Sequence, residues 1–301
     1  MDKENIIRID AISTMIEMAG FQSPEHPLFA ISRLEDLPPL PIPKGALVQF
    51  DFYSIGLKRC LQDTFRYGRQ SYDFQRGVLG FTSPGQITEV NPEIGRTATG
   101  WMLFFHRDLL QNHPLRKTIL NYGFFDYQVN EALHCSAKEE DTLEGIFTNM
   151  LNEYNNNIDL YSKPLVLANL ELLLQYAERF YNRQFITRQE VSTGLGAQFE
   201  TNLREFFQLE QYQEMGLPTV SYFADLLRVS PSYLSDYLRM STGKSTQEHI
   251  HLALIERAKA LLENPNQSVS EIAYELGFEY PSYFSRLFKA KTGVSPSLYR
   301  A

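Results

Sequence analysis

A chain of 301 residues is long enough for about two domains. Its apolar fraction of 43% and charged fraction of 21% are ordinary for a globular protein and exclude wholesale disorder. The formal net charge of −8 argues against a simple basic nucleic-acid binder, and no unbroken apolar run is long enough to span a membrane. The N-terminus opens with charges rather than an apolar signal core, so the expected location is cytoplasmic, without a membrane partner. Cys60 and Cys135 are isolated thiols without metal-ligand spacing, which fits a reducing compartment.

Residues 5–20 mix helical and strand-like spacing and are read as a short helix ending at Gly20. From Leu28 to Phe105 the texture changes to short aromatic and β-branched runs broken by turns rich in Pro and Gly. That pattern predicts an antiparallel sandwich or barrel. Helices follow: Arg107 to Leu120 with a break before Pro114, Lys138 to Tyr154, and the strongly apolar Lys163 to Tyr181. On the last of these, Leu165, Leu172 and Tyr176 are expected to pack on the barrel. Leu167, Leu170, Leu174 and Ala177 form a second stripe, read either as core or as a dimer interface. Residues 182–198, with Gly194 and Gly196, read as an interdomain linker.

The last hundred or so residues contain one pattern twice, with a period of about fifty. In the second copy, Ser270 is expected to cap a helix carrying Ile272, Ala273 and Leu276, and Gly277 ends it with a left-handed residue. Pro281 opens a further helix whose Phe284, Leu287 and Phe288 make an apolar stripe. Its other face carries Ser282, Ser285, Arg286 and Lys289, groups suited to base edges and phosphates. In the first copy Ser221, Ala224 and Leu227 match Ser270, Ala273 and Leu276. Pro231, Ser232, Tyr233, Ser235, Thr242 and Gly243 then match Pro281, Ser282, Tyr283, Ser285, Thr292 and Gly293. Two such units joined by a helix can place two reading heads in successive major grooves, roughly 34 Å apart.

The duplicated helix-turn-helix, the second copy's EIAYELGF and SYFSRLFKAKTGVSP, and the intervening LIERAKALL resemble the AraC/XylS family of bacterial transcription regulators. The first copy departs twice: Arg228 stands in place of Gly277, where a left-handed residue would cost about 1 kcal/mol, and Asp236 stands in place of Arg286. The resemblance implies a cupin-like barrel in the N-terminal half, carried there more loosely by YDFQRGVLGFTSPGQ, with effector sensing and dimerisation. The fold class expected is α+β in two domains, an antiparallel cupin-like β-barrel with packed helices and an all-α double helix-turn-helix. The boundaries expected are 1–181 for the sensing and dimerisation domain, 182–198 for the linker and 199–301 for the DNA-binding domain, with units at 219–243 and 268–293.

Base reading is assigned to Arg286, Ser285 and Ser282 in the second unit and to Ser235, Asp236 and Ser232 in the first. Phosphate contacts are assigned to Tyr283, Lys289, Tyr233 and Arg239. Trp101, Phe81 and Phe52 are candidates for an effector pocket, and Leu167, Leu170 and Leu174 for a dimer helix. From Phe199 to Ala301 ten basic residues face twelve acidic ones, but Pro281 to Arg300 holds Arg286, Lys289, Lys291 and Arg300 with no acid. Only a groove-facing surface needs to be positive.

Metal-binding cupins require a His-x-His pair on a strand, and residues 28–105 contain no histidine. The pair His249 and His251 falls in a predicted helix, where that spacing points to different faces. No metal, no cofactor and no enzymatic activity are expected. The expected partners are double-stranded DNA, a small-molecule effector, a second copy of the chain and RNA polymerase. The alternative reading is a ligand- or partner-binding protein whose helix-turn-helix half no longer reads DNA.

Overall fold

The computed structural model describes residues 6–20, 26–38, 40–60, 66–67, 70–71, 77–89, 98–128, 131–191 and 194–300. They form two compact units, Met1–Gln184 and Phe185–Ala301. In the first, β1 (Ile6–Ile9) and the short helix α1 (Ile12–Met18) share the stretch expected to be one helix. The strand arises because β1 finds a partner: it pairs in parallel with β3 (Leu47–Phe50), itself antiparallel to β8 (Ile87–Glu89). Tertiary pairing overrides weak local preference here.

The second sheet is antiparallel. Its order is β10 (Leu133–His134), β7 (Val78–Thr82), β4 (Tyr53–Cys60), β9 (Ala98–Phe105) and β2 (Phe29–Arg33). A two-stranded ribbon, β5 (Arg66–Tyr67) with β6 (Gln70–Ser71), stands apart. The described strands therefore form separate sheets and no closed barrel. The opening of the stretch that carried the looser family resemblance, Tyr72 to Arg76, lies outside the described residues, as does the side chain of Cys60.

The register sorts the five-stranded sheet into two faces. Leu57 lies opposite Leu79 and Trp101, and Ile55 opposite Phe81 and Leu103, so one face is a continuous apolar surface. Helix α2 (Leu115–Thr118) lies among short 3-10 turns, and α3 (Ala137–Tyr154) begins at a reciprocal cap between Ser136 and Glu139. Phe147 of α3 stacks on Trp101 with ring centroids 5.6 Å apart. The indole N–H donates to Glu144 at 2.9 Å, and the Arg33 guanidinium lies 3.8 Å over the ring. Arg33 and Arg59 pair with Glu144 at 2.6 and 3.3 Å, and Arg59 also pairs with Glu140. Charges thus edge the joint between sheet and helix, while its centre is dry.

Trp101, Phe81 and Phe52 do not line one pocket. Trp101 is packed against α3, and Phe81 meets Phe124 at 4.4 Å and Phe125 at 5.3 Å. Phe52 belongs to a separate cluster with Ile9, Ile12, Val48, Ala30 and Phe104. All three are buried side chains filling cores.

The long helix α4 (Ser162–Val191) corrects two expectations. Leu167, Leu170, Leu174 and Ala177 are buried within a single chain, so the stripe offered as a dimer face is core. Leu165 and Leu172, expected to pack inward, are 48% and 43% exposed. The expected linker at 182–198 is helical as far as Val191 and again from Leu195. Between Asn182 and Val191 there is no Gly or Pro to stop the helix. Among the described residues no helix is long and apolar enough to cross a membrane.

Candidate nucleic-acid interface

The second unit is all-helical. Helix α5 (Leu195–Gln208) buries Phe199, Leu203, Phe206 and Phe207, and the one-turn α6 (Tyr212–Met215) follows. Next come α7 (Val220–Leu227), α8 (Pro231–Thr242) and α9 (Thr246–Leu262). The last three are α10 (Val269–Glu275), α11 (Pro281–Thr292) and α12 (Pro296–Arg300). The pairs α7–α8 and α10–α11 are the two helix-turn-helix units, and α9 links them. Ile250, Leu254 and Ala258 of α9 are buried, as stacking against both units requires.

The caps differ from expectation. Helix α10 starts at Ser268, not Ser270, because Ser268 and Glu271 satisfy each other's backbone N–H groups. Ser270 has Ala273 three residues on and offers no such reciprocity. Likewise Thr219, not Ser221, caps α7 by accepting from the Tyr222 N–H.

The turns are alike in bonding and unlike in residue. In the first unit the Val229 N–H donates to the Ala224 carbonyl at 3.0 Å; in the second the Phe278 N–H donates to the Ala273 carbonyl at 2.9 Å. Both helices thus stop by the same backward bond over a left-handed residue. That residue is Arg228 (φ 57°) in one copy and Gly277 (φ 89°) in the other. Only the second is crowded: a Cβ on Gly277 would lie 2.9 Å from backbone atoms of Gly216 and Leu217.

On α11 the apolar stripe Phe284 and Phe288 is fully buried, and Phe284 also meets Phe278 at 5.3 Å. With that face sunk, Ser282, Tyr283, Arg286 and Lys289 are exposed and Ser285 is half-buried. The Arg286 guanidinium stands 5.8 Å from the Tyr283 ring centre and points to solvent. Tyr280 at the N-cap and Lys291 share the exposed surface. Sequence reading counted Lys291 among the cations of this stretch and passed over Tyr280, although neither falls on the Phe284–Phe288 stripe.

On α8 the same positions are more engaged. Tyr233 is 4% exposed, with Phe185 edge-on at 5.2 Å, whereas Tyr283 is 48% exposed. A buried ring cannot serve as the phosphate contact assigned to Tyr233. The Ser235 hydroxyl donates to Thr246 Oγ1 at 3.2 Å and ties α8 to α9. Ser232 is half-buried, and Asp236 accepts from Arg239 at 2.8 Å. His249 and His251 turn to different partners, Thr242 at 2.7 Å and Gln247 at 2.8 Å, and burial lowers the pKa of both.

Two helix-turn-helix units on a shared linking helix define a class. Residues 223–301 match the family described as a helix-turn-helix domain. Over 82 residues the chain is 35% identical to the uncharacterized HTH-type transcriptional regulator YobQ of Bacillus subtilis, covering 27% of this chain and 34% of that protein. It is 41% identical over 81 residues to the Msm operon regulatory protein of Streptococcus mutans, covering 27% and 29%. It is also similar to the solved C-terminal domain of AraT, a response regulator from Geobacillus stearothermophilus. That match has 32% identity over 33% of this chain and 82% of that one, with a TM-score of 0.27. The matched stretch spans well under half the length of these curated relatives. The C-terminal unit thus carries a helix-turn-helix domain similar to those of AraC-type transcription regulators.

Proposed function

We propose that this protein is a sequence-specific DNA-binding transcription regulator whose N-terminal unit senses a small molecule and pairs two copies of the chain. The observation that supports the reading best is the division of α11: a fully buried phenylalanine stripe behind an exposed face carrying Arg286 and Lys289 with no acid. A helix of that kind is held rigidly by its dry side while its cationic side is free to enter a groove. Arg286 can fork onto guanine O6 and N7, and Lys289 can meet the backbone. A gel shift on the DNA upstream of the protein's own gene, at two salt concentrations, tests this. Binding should fall steeply with salt, and Arg286→Ala should cost about 1–3 kcal/mol. Retention independent of salt, or an Arg286→Ala variant as tight as the wild type, refutes it.

For the sensing half, we assign the effector to the face of the five-stranded sheet turned away from α3. Gly80 lies there opposite Gly56, flanked by Ser54, Thr82 and Met102; a Cβ on Gly80 would meet open space, whereas the Met102 sulfur covers Gly56. Bare backbone lets a ligand approach closely. For pairing, we assign the exposed Leu165 and Leu172 of α4 in place of the buried stripe. The rival reading, a partner-binding protein that has lost DNA recognition, draws on the Asp236–Arg239 pair, which leaves α8 with no net charge. The same gel shift decides between them.

A further inference from the structure

The linking helix α9 is not the sole connection between the first head (α7–α8) and the second (α10–α11). Between α5 and α7 runs a short lead-in, residues 210–217, that contains α6. It meets three neighbours. The Tyr222 hydroxyl of α7 donates to the Gln211 side chain at 3.2 Å, which ties the lead-in to the first head. Arg257 of α9 reaches it twice: Nε donates to the Tyr212 hydroxyl at 2.8 Å, and the guanidinium pairs with Glu210. Gly216 and Leu217 lie against the turn of the second head, where they leave no room for a Cβ on Gly277. Tyr212 is buried, and Glu210 holds left-handed backbone at φ 52°, which a non-glycine residue keeps only where its surroundings fix it. Burial alone would lower the Arg257 pKa; the Tyr212 hydroxyl, Glu210 and Glu275 of α10 raise it instead. A carboxylate of the second head therefore also acts on this joint.

We infer that Arg257 is a positioning residue for the two reading heads: by clamping the lead-in through Tyr212 and Glu210, it holds the heads at one separation, so that one spacing between two DNA boxes is accepted. The inference rests on the DNA-binding reading above and deepens it. Two heads packed on a single rod can each rock on the side chains beneath them. A lead-in bonded to the first head, to the rod and against the second head closes a loop of contacts and removes that freedom. The guanidinium suits the task because its donors lie in a rigid plane and fix direction as well as distance. The Glu210 carboxylate is 45% exposed, so its pairing adds little stability by itself. Its value is in orientation. On B-form DNA one added base pair moves the second box by about 3.4 Å and turns it by about 35°. Clamped heads cannot follow that change, and unclamped ones can follow part of it.

The test uses the full-length protein. Site selection from a randomised duplex library gives its two-box site, and gel shifts then compare that site with duplexes carrying one base pair more or fewer between the boxes. The wild type should lose roughly tenfold or more in affinity at either altered spacing, because one head's contacts are lost. Arg257→Gln and Tyr212→Phe should bind the selected site within about fivefold of the wild type. At the altered spacings they should lose only about threefold, the difference being the coupling that the clamp supplies. Tyr212→Phe keeps the ring that packs on Phe207, so it separates loss of the clamp from loss of the fold. The inference is overturned if the variants keep the wild-type spacing penalty, if they weaken binding equally at every spacing, or if the wild type itself tolerates the change. If the wild type retains no duplex even at low salt, the DNA-binding reading fails and the clamp's role with it. If the wild type binds and depends on Arg286 while the variants keep its spacing penalty, only the present inference fails.

Discussion

Gly277→Ala tests the joint between the two helices of the second unit. Gly277 holds φ at +89°, and an added Cβ would meet the Gly216 Cα, the Gly216 carbonyl carbon and the Leu217 nitrogen, each at 2.9 Å. These are backbone atoms, so no side-chain rotation relieves the overlap. Left-handed backbone costs alanine about 1–2 kcal/mol, and forced overlap in a packed region adds roughly 1–3 kcal/mol. A loss of about 3 kcal/mol should lower the melting point of a unit this size by on the order of 10 °C. Arg228→Gly is the matched control: the turn is the same, and removing the left-handed strain should stabilise by up to about 1 kcal/mol. Far-ultraviolet circular dichroism follows the helices, while fluorescence of Trp101, the chain's one tryptophan, reports the first unit separately. If Gly277→Ala melts with the wild type, the close approach to Gly216 is wrong. If Arg228→Gly destabilises, strain at Arg228 is wrong.

Leu165→Glu and Leu172→Glu should turn a dimer into a folded monomer by light scattering, whereas Leu167→Glu should unfold the first unit by burying a charge. A wild type that is monomeric at all concentrations, or glutamate variants that stay dimeric, removes the assignment of that face. Cys135 is buried and its thiol is pushed up to about 12, chiefly by loss of hydration. In a Cys60→Ser background a thiol reagent should therefore react slowly at neutral pH until the chain is denatured. Because the folded thiol resists ionisation, its contribution to stability is intact below the ordinary thiol pKa and declines as pH rises from there toward 12. Fast native labelling at pH 8 would contradict that burial.

The second unit was the more legible half because its signals are local and repeated. A proline start, a glycine stop and a stripe at helical spacing, as at Pro281, Gly293 and Phe284 with Phe288, survive folding unchanged. The caps were misplaced by two residues because Ser268 and Ser270 are both good caps alone; only the partner three residues on separates them. Tyr233 was misread because its cover, Phe185, lies far off in sequence, so the match to Tyr283 carried over a residue type without its neighbour. The first unit was harder for the same reason on a larger scale. Nothing local in residues 6–9 announces a parallel partner at 47–50. On α4 both leucine stripes are apolar enough to be core, and only the sheet's position selects Leu167, Leu170 and Leu174.

The duplication itself explains why the two reading helices diverge in charge and not in packing. Each copy must close the same core, so Ala224 and Ala273, Leu234 and Phe284, Leu238 and Phe288 are all buried. Exposed positions carry no such demand. The chain's net charge of −8 also repels DNA at long range, so some part of the reading surface must supply attraction. One helix with three cations and no acid can supply it, since phosphate contacts act within about 10 Å at moderate salt. Once α11 is seated, extra cations on α8 would strengthen binding to every sequence alike and reduce selectivity. Helix α8, whose two charged side chains are Asp236 and Arg239, carries no net charge of its own and adds little attraction at any site. On the proposed reading, α11 therefore supplies attraction through Lys289 and base recognition through Arg286, and the duplication leaves α8 free of that charge demand.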